Sequence, residues 1–428
     1  MRQARPITER GTRLSRGLPR FRAPGVAFLL SLLVLLSPEL TLAPLSAVEP
    51  GGARPTPIDQ LDLPTGPPRV QLIDMVAPAE SPAPQQAALP PAIRPDPRFE
   101  AAMAAAREAG GAYGITFAAV RDGELLWAGA SGRQRDQTTA LTAEDPLVIG
   151  SVTKTFVAAT VLQLVEEGRI GLDDPVRTYL PGMSSISSKI TIHQLLDHTS
   201  GLADVFNDTT RKGLEEHPEH AWTTAEVFKT LHAPWYQPGE GWAYANTNYF
   251  LLGLVIERVT GSTLAEELDD RFLGPLGLEH TRLLTGDTDD GGPLSPAWAT
   301  IFWASGAMTA SAADLARWGD ALYGDAVLGQ ASREAMVALN SNDYGLGLQR
   351  IEVLGATGYG HTGLLNTYTT LLLHLPGQDV TLALLVNRSH VDLGGMLAAR
   401  PPGGPSLLEL VGVERPLASP TPSPSPSP

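Results

Sequence analysis

The chain has 428 residues, among them 43 glycines, 37 prolines and no cysteine, and its formal net charge is −15. The absence of cysteine excludes disulfides, thiolate metal sites, cysteine nucleophiles and cysteine-linked lipid anchors. So acidic a chain, with only four lysines, is poorly suited to nucleic acid or to an anionic membrane surface.

Eighteen prolines lie before residue 99 and nine after residue 400, leaving ten for the whole interval between. Proline-dense, aromatic-poor segments cannot bury enough apolar surface to offset their ordering entropy. The packed core is therefore expected in one large domain, residues 98–400. Residues 1–22 are Arg-rich, and Gly25 to Ser37 is an apolar run stopped by Pro38. That run is too short to span a bilayer comfortably, so residues 1–47 read as a secretory signal peptide. An uncleaved signal anchor is the alternative, and either reading places the domain outside the cytoplasm. Removing residues 1–47 would raise the net negative charge of the remainder to 20. Residues 48–97 form a Pro/Ala-rich linker, and residues 401–428 end in a Ser-Pro repeat and read as a tail.

Within the domain, Phe99 to Ala109 predicts a helix closed by Gly110-Gly111. Tyr113 to Val120 and Glu124 to Ala130 predict two strands joined at Asp122-Gly123. Val152 to Val165 is apolar on nearly every face and predicts a helix buried on most sides. Further helices are expected at Asn248–Val259 and Ala313–Tyr323. Strand patterns return near Tyr344–Val353, Tyr359–Gly363, Thr367–His374 and Val380–Val386. Val391 to Ala399 is a short last helix, with Ser406 to Val411 either finishing it or forming a separate turn. Strands at both ends with helices between imply an α/β (α+β) fold. Its sheet is expected to be mainly antiparallel and flanked by helices, with an all-helical subdomain beside it.

Lys154 stands out chemically. It lies one turn into the largely apolar helix, where an unpaired ammonium is costly and tends to lose its proton. Ser151 is three residues earlier, on the same helical face and at the helix start, where free N–H groups favour negative charge. A hydroxyl beside a desolvated amine is a workable nucleophile and base. On spacing alone, a serine that caps the helix and a lysine that snorkels to water explain the pair as well.

Tyr244-Ala245-Asn246 and His361-Thr362-Gly363 follow in that order, each the sole occurrence of its pattern. Together with Ser151-x-x-Lys154 they resemble the serine β-lactamase and penicillin-binding protein family, in its class C β-lactamase and D-alanyl-D-alanine carboxypeptidase branch. Leu195-Leu196-Asp197-His198-Thr199-Ser200-Gly201-Leu202 and Ser305-Gly306-Ala307 carry the same likeness, which runs from about 98 to 390. The resemblance implies Ser151 as the acylated nucleophile and Lys154 as its proton acceptor. It implies Tyr244 as the base or as the acid that protonates the leaving group. Asn246 would hold Lys154 and bind a substrate amide, and Trp303 would form an aromatic wall over the acyl group. His361, Thr362 and Gly363 would form the inner edge of the active-site strand. The backbone N–H groups of Ser151 and Leu364 would form the oxyanion hole.

His361 stands where many relatives place a lysine, and an unperturbed histidine titrates near neutrality, so a pH-dependent step is expected. Two departures concern substrate. The matching carboxypeptidases read a terminal carboxylate through an Arg and a Thr, where this chain has Gln349 and Leu364. Arg350 is one residue along and faces the other way.

His193, His198 and the cluster Glu215-Glu216-His217-Pro218-Glu219-His220 lack the spacing of a metal site. No Gly-x-Ser-x-Gly elbow or phosphate-binding glycine loop occurs. The expectation is an exported serine hydrolase without metal or cofactor, whose partner is a small-molecule or peptide substrate, not nucleic acid. Any membrane contact would come only through an uncleaved signal segment. D-alanyl peptides or a related small amide lead the substrate classes, followed by a carboxylic ester and then a β-lactam. A non-catalytic penicillin-binding sensor is the alternative from another class.

Overall fold

The computed structural model describes residues 95–286 and 292–413, so the expected signal peptide, most of the expected linker and the end of the expected tail lie outside the described residues. Helix α1 (Pro97–Gly110) is capped by the Asp96 side chain and closed by Gly111 in the left-handed region. Strands β1 (Gly114–Arg121) and β2 (Glu124–Gly132) form a hairpin whose turn residues, Asp122 and Gly123, both have positive φ. This is the primed turn that the Asp-Gly pair favours.

The chain then passes β3 (Leu147–Val148) and one 3₁₀ turn, Gly150–Val152, into α2 (Thr153–Glu166). Short helices and loops lead to α3 (Asn246–Thr260), β4 (Arg282–Leu283), α4 (Pro296–Gly306), β5 (Met308–Ala310) and α5 (Ala312–Tyr323). Strands β6 (Gln349–Val353), β7 (Ala356–Leu365), β8 (Tyr368–Leu375) and β9 (Val380–Val386) complete the main sheet. Its order is β2-β1-β9-β8-β7-β6, and every neighbouring pair is antiparallel. The expected antiparallel sheet flanked by helices is therefore the observed one. A small sheet, β3-β5-β4, was not foreseen, because strands of two or three residues carry no readable periodicity.

Both faces of the main sheet are covered, and its strands show it by alternation. Ile115, Phe117, Leu371, Leu373, Leu382 and Leu384 pack toward α1 and the C-terminal helices. Ala118, Val120, Leu372, Ala383 and Leu385 pack toward the core that contains α2 and α5. Helix α5 lies so close to the sheet that a methyl group on Gly319 would meet Leu372 and Thr381. Trp318, on the same helix, stacks on Phe156 of α2 and donates to Thr155 Oγ1. The sheet thus fixes α5, and α5 fixes α2.

The C-terminus departs from the expected boundary. Leu393–Ala398 is a short helix, and Leu407–Leu410 is a second, capped by a reciprocal Ser406–Glu409 box. Leu407, Leu408, Val411 and Val413 are fully buried in the core beside α1, so the packed body runs past residue 400 to at least Val413. Proline density marked where the tail looked solvated, but it missed the apolar anchor that follows Pro405. Leu408→Ala should cost about 2–5 kcal/mol, the range for emptying a buried leucine site, as read by chemical denaturation.

Candidate active site

The site assembles where the 3₁₀ turn before α2, the start of α3, the end of α4 and the edge of β7 meet. Lys154 is completely buried, and its Nζ lies 3.1 Å from Ser151 Oγ, 3.0 Å from Asn246 Oδ1 and 2.6 Å from the Ser305 carbonyl oxygen. Burial brings its pKa down to about 7, against the opposing pull of the Asp204 charge. A neutral amine has two hydrogens and one lone pair. Asn246 Oδ1 and the Ser305 carbonyl can only accept, so they take the hydrogens and the lone pair is left facing the Ser151 hydroxyl. Snorkelling to water is excluded by the complete burial.

The Ser305 carbonyl reaches Lys154 through a strained backbone. Trp303, within α4, sits at φ 23° and ψ −113°, outside the regions open to an L-residue. Its indole packs edge-on against Phe250 and lies over Gly253 of α3. Trp303, expected to wall the acyl group, thus wedges α4 against α3.

Asn246 links Lys154 to a residue that sequence reasoning missed. Asn246 Nδ2 donates to Asp204 Oδ2, and its backbone N–H donates to Oδ1, both at 3.1 Å. Removal from water raises the Asp204 pKa to about 6, while the Phe206 and Asn246 N–H groups and Lys154 pull the other way. An acidic residue inside the apolar run Leu202–Phe206 was the available signal, since such a residue is costly unless partnered.

Tyr244 is close to both reacting groups. Lys154 Nζ lies 4.9 Å from its ring centroid, and Ser151 is near its hydroxyl. That hydroxyl is buried and makes no hydrogen bond of ordinary geometry. Burial pushes its pKa up, so it stays a phenol.

His361 lies in β7, almost fully buried, and donates or accepts at both ring nitrogens: Nδ1 to the Thr362 carbonyl (2.6 Å) and Nε2 to Tyr344 Oη (3.0 Å). Burial, then the Lys154 charge, lower its pKa to about 3. The expected titration near neutrality is corrected accordingly: an enclosed imidazole beside an amine remains neutral. His198 is buried beside Tyr344, whereas His217 and His220 are exposed beside Glu219 and Glu226.

Strand β6 pairs with β7 only as far as Gly360, so residues 361–365 leave a free edge. Gln349 Oε1 accepts from the Thr362 N–H and hydroxyl, both at 3.1 Å. Strand alternation directs the Leu364 N–H to that same side. A methyl group on Gly150 would come within 2.9 Å of Leu364 N, and one on Gly363 would strike the Ile149 carbonyl. The Ser151 and Leu364 amides are thus held side by side by glycines that permit two backbones to touch. Arg350 faces away and pairs with Asp343 and Glu352, as its register implied.

A desolvated lysine aimed at a serine, a neutral phenol and paired amides at a strand edge define an acyl-transfer enzyme of the serine hydrolase class. The Beta-lactamase family model matches residues 99–400, and the chain belongs to that family. It is 28% identical over 311 residues to penicillin-binding protein 4 of Amycolatopsis lactamdurans, covering 64% of this chain and 80% of the relative. Among solved structures, a D-stereospecific amidohydrolase from Streptomyces sp. aligns at 29% identity and TM-score 0.62, covering 72% of this chain and 99% of the other. The D-amino acid amidase of Ochrobactrum anthropi SV3 shares the fold, with 23% identity, TM-score 0.60 and coverage of 70% and 95%.

Three outcomes follow. With Ser151 as the expected nucleophile and Lys154 as its expected proton acceptor, labelling needs the unprotonated amine, so its rate should fall as pH drops through about 7. Asp204→Asn removes a charge that raises the Lys154 pKa, so the acid limb should move to lower pH in a stopped-flow labelling profile. Gly363→Ala should lower the labelling rate by about 10²-fold or more while Ser151 remains present, because one oxyanion donor is displaced.

Proposed function

We propose that this chain is an exported serine hydrolase that turns over a small amide, D-aminoacyl in class, through an acyl-enzyme on Ser151. The observation that carries the reading is the Lys154 amine, buried with its one free coordination direction on Ser151 Oγ. Lys154 takes the Ser151 proton as Oγ attacks the carbonyl carbon, and the oxyanion forms against the Ser151 and Leu364 N–H groups. The Tyr244 phenol gives its proton to the departing nitrogen and is refilled from the Lys154 ammonium, which returns both groups to their starting state. Water then attacks the acyl ester by the same route in reverse. Tyr244 acts as the acid and Lys154 as the base because burial moves both toward their neutral forms.

The substrate class rests on charge. The position where related carboxypeptidases carry an arginine holds Gln349, already engaged with Thr362, and Arg350 is turned away. The carboxylate of Asp204 stands behind Asn246. This electrostatic setting disfavours a terminal carboxylate on the leaving side and favours a neutral amide. Similarity to an amidohydrolase at 29% identity supports the same class. A neutral carboxylic ester meets the same constraint and is the second reading.

Export rests on residues 1–47, outside the described residues; among those described, no helix is long and apolar enough to cross a membrane. Intact-mass analysis with a fluorophosphonate probe should show one adduct on the folded wild type and none on Ser151→Ala. A panel of D-aminoacyl amides, D-Ala-D-Ala peptides, nitrophenyl esters and a β-lactam then ranks kcat/KM, with the amides expected first. A folded protein that takes no adduct would instead be a non-catalytic binding module.

A further inference from the structure

Behind the active-site strand runs a line of buried polar groups that the acyl-transfer steps do not use. The Ala245 N–H (3.3 Å) and Asn248 Nδ2 (2.8 Å) approach His198 Nδ1, and His198 Nε2 lies 3.2 Å from Tyr344 Oη. Tyr344 Oη in turn lies 3.0 Å from His361 Nε2, and His361 Nδ1 lies 2.6 Å from the Thr362 carbonyl. Ser200 Oγ anchors the far end by donating to Asn248 Oδ1 (2.6 Å).

The two backbone groups give this line a direction. A backbone N–H can only donate, so Nδ1 of His198 is bare and its proton sits on Nε2. That proton goes to the Tyr344 oxygen. A carbonyl can only accept, so His361 carries its proton on Nδ1, and its bare Nε2 takes the Tyr344 hydroxyl hydrogen. Each hydrogen from His198 Nε2 through Tyr344 to Thr362 then has one acceptor, with both imidazoles neutral and in opposite tautomers.

We propose that Tyr344 and His198 are positioning residues, forming a one-way hydrogen-bond line that locks His361 as its neutral Nδ1–H tautomer. Through that proton His361 pins the Thr362 carbonyl, two residues before the Leu364 amide, and keeps a second cation away from Lys154. The surroundings fit a neutral line. His361 faces Lys154 of α2, Tyr244 before α3, and Tyr344; His198 faces Lys154, Trp242, Tyr244, Tyr249 and Tyr344. Among the described residues no carboxylate hydrogen-bonds either ring, and the Tyr249 hydroxyl, near Tyr344, gives its own hydrogen to the Leu196 carbonyl and is left as an acceptor only. Burial and the Lys154 charge hold both imidazoles well below their ordinary pKa.

The link to turnover rests on the serine hydrolase reading, whereas the tautomers do not. The test is long-range ¹H–¹⁵N spectroscopy of the full chain with ¹⁵N-histidine, recorded from pH 5 to 8. Two of the nine histidines should not titrate. His361 should show a protonated Nδ1 and His198 a protonated Nε2. The reverse tautomer in either ring, or titration of either within that range, would overturn the proposal. In Tyr344→Phe, His361 should lose its single tautomer or begin to titrate, and kcat should fall about tenfold with KM within about twofold, as for a slightly displaced site. Retention of the wild-type His361 signals in that variant, or of the wild-type kcat, would equally sink it. Should Tyr344→Phe not fold, the wild-type spectrum alone decides the tautomers.

Discussion

Removing one lysine amine from water is the constraint around which the rest of the structure is arranged. Lys154 has three oxygen neighbours and no solvent, and two of the three accept its hydrogens, leaving the third contact, Ser151, opposite the lone pair. Moving its pKa from 10.5 to about 7 disfavours the charged form by on the order of 5 kcal/mol. Because the folded value lies below the unfolded one, this site opposes folding most below about pH 7, and the opposition fades as pH rises toward 10.5. The strained backbone at Trp303 belongs to the same trade, since it aims the Ser305 carbonyl at the amine. What offsets both is the hydrophobic mass around α2, stacked through Phe156 and Trp318 onto α5 and the sheet.

Burial acts on the neighbouring groups in the same sense, always toward the neutral form. It lowers Lys154 and His361 and raises Tyr244. The outcome is a site with mobile protons and little fixed charge, in which Asp204 is the counterweight that keeps Lys154 from falling further. A permanent cation at position 361 would upset this balance. The neutral imidazole instead uses both nitrogens as hydrogen-bonding groups, one toward Tyr344 and one toward the Thr362 carbonyl of the strand that carries the Leu364 amide.

The geometry of the reacting atoms is a property of backbones. Strand β6 stops pairing at Gly360, which frees the last five residues of β7, and Gly150 and Gly363 allow that edge to touch the turn bearing Ser151. Membership of the Beta-lactamase family and the likeness to a D-stereospecific amidohydrolase agree with this arrangement.

Much of this was legible from the chain alone, and for local reasons. Periodicity placed α1, the Asp122-Gly123 hairpin, α2 and β9 within a residue or two, because strands covered on both faces and helices buried all round leave continuous apolar runs. Ser151, Lys154, Tyr244, Asn246 and His361 stood out as short motifs in a fixed order. What those residues do to one another was decided only in three dimensions. Asp204 lies 50 residues from Lys154 and Tyr344 lies 146 from His198, so no local pattern joins them. The fate of Trp303 and the neutrality of His361 depend on packing and on the loss of water. The order of residues supplies the groups; folding sets their protonation, because a pKa depends on the dielectric and the neighbours that folding brings.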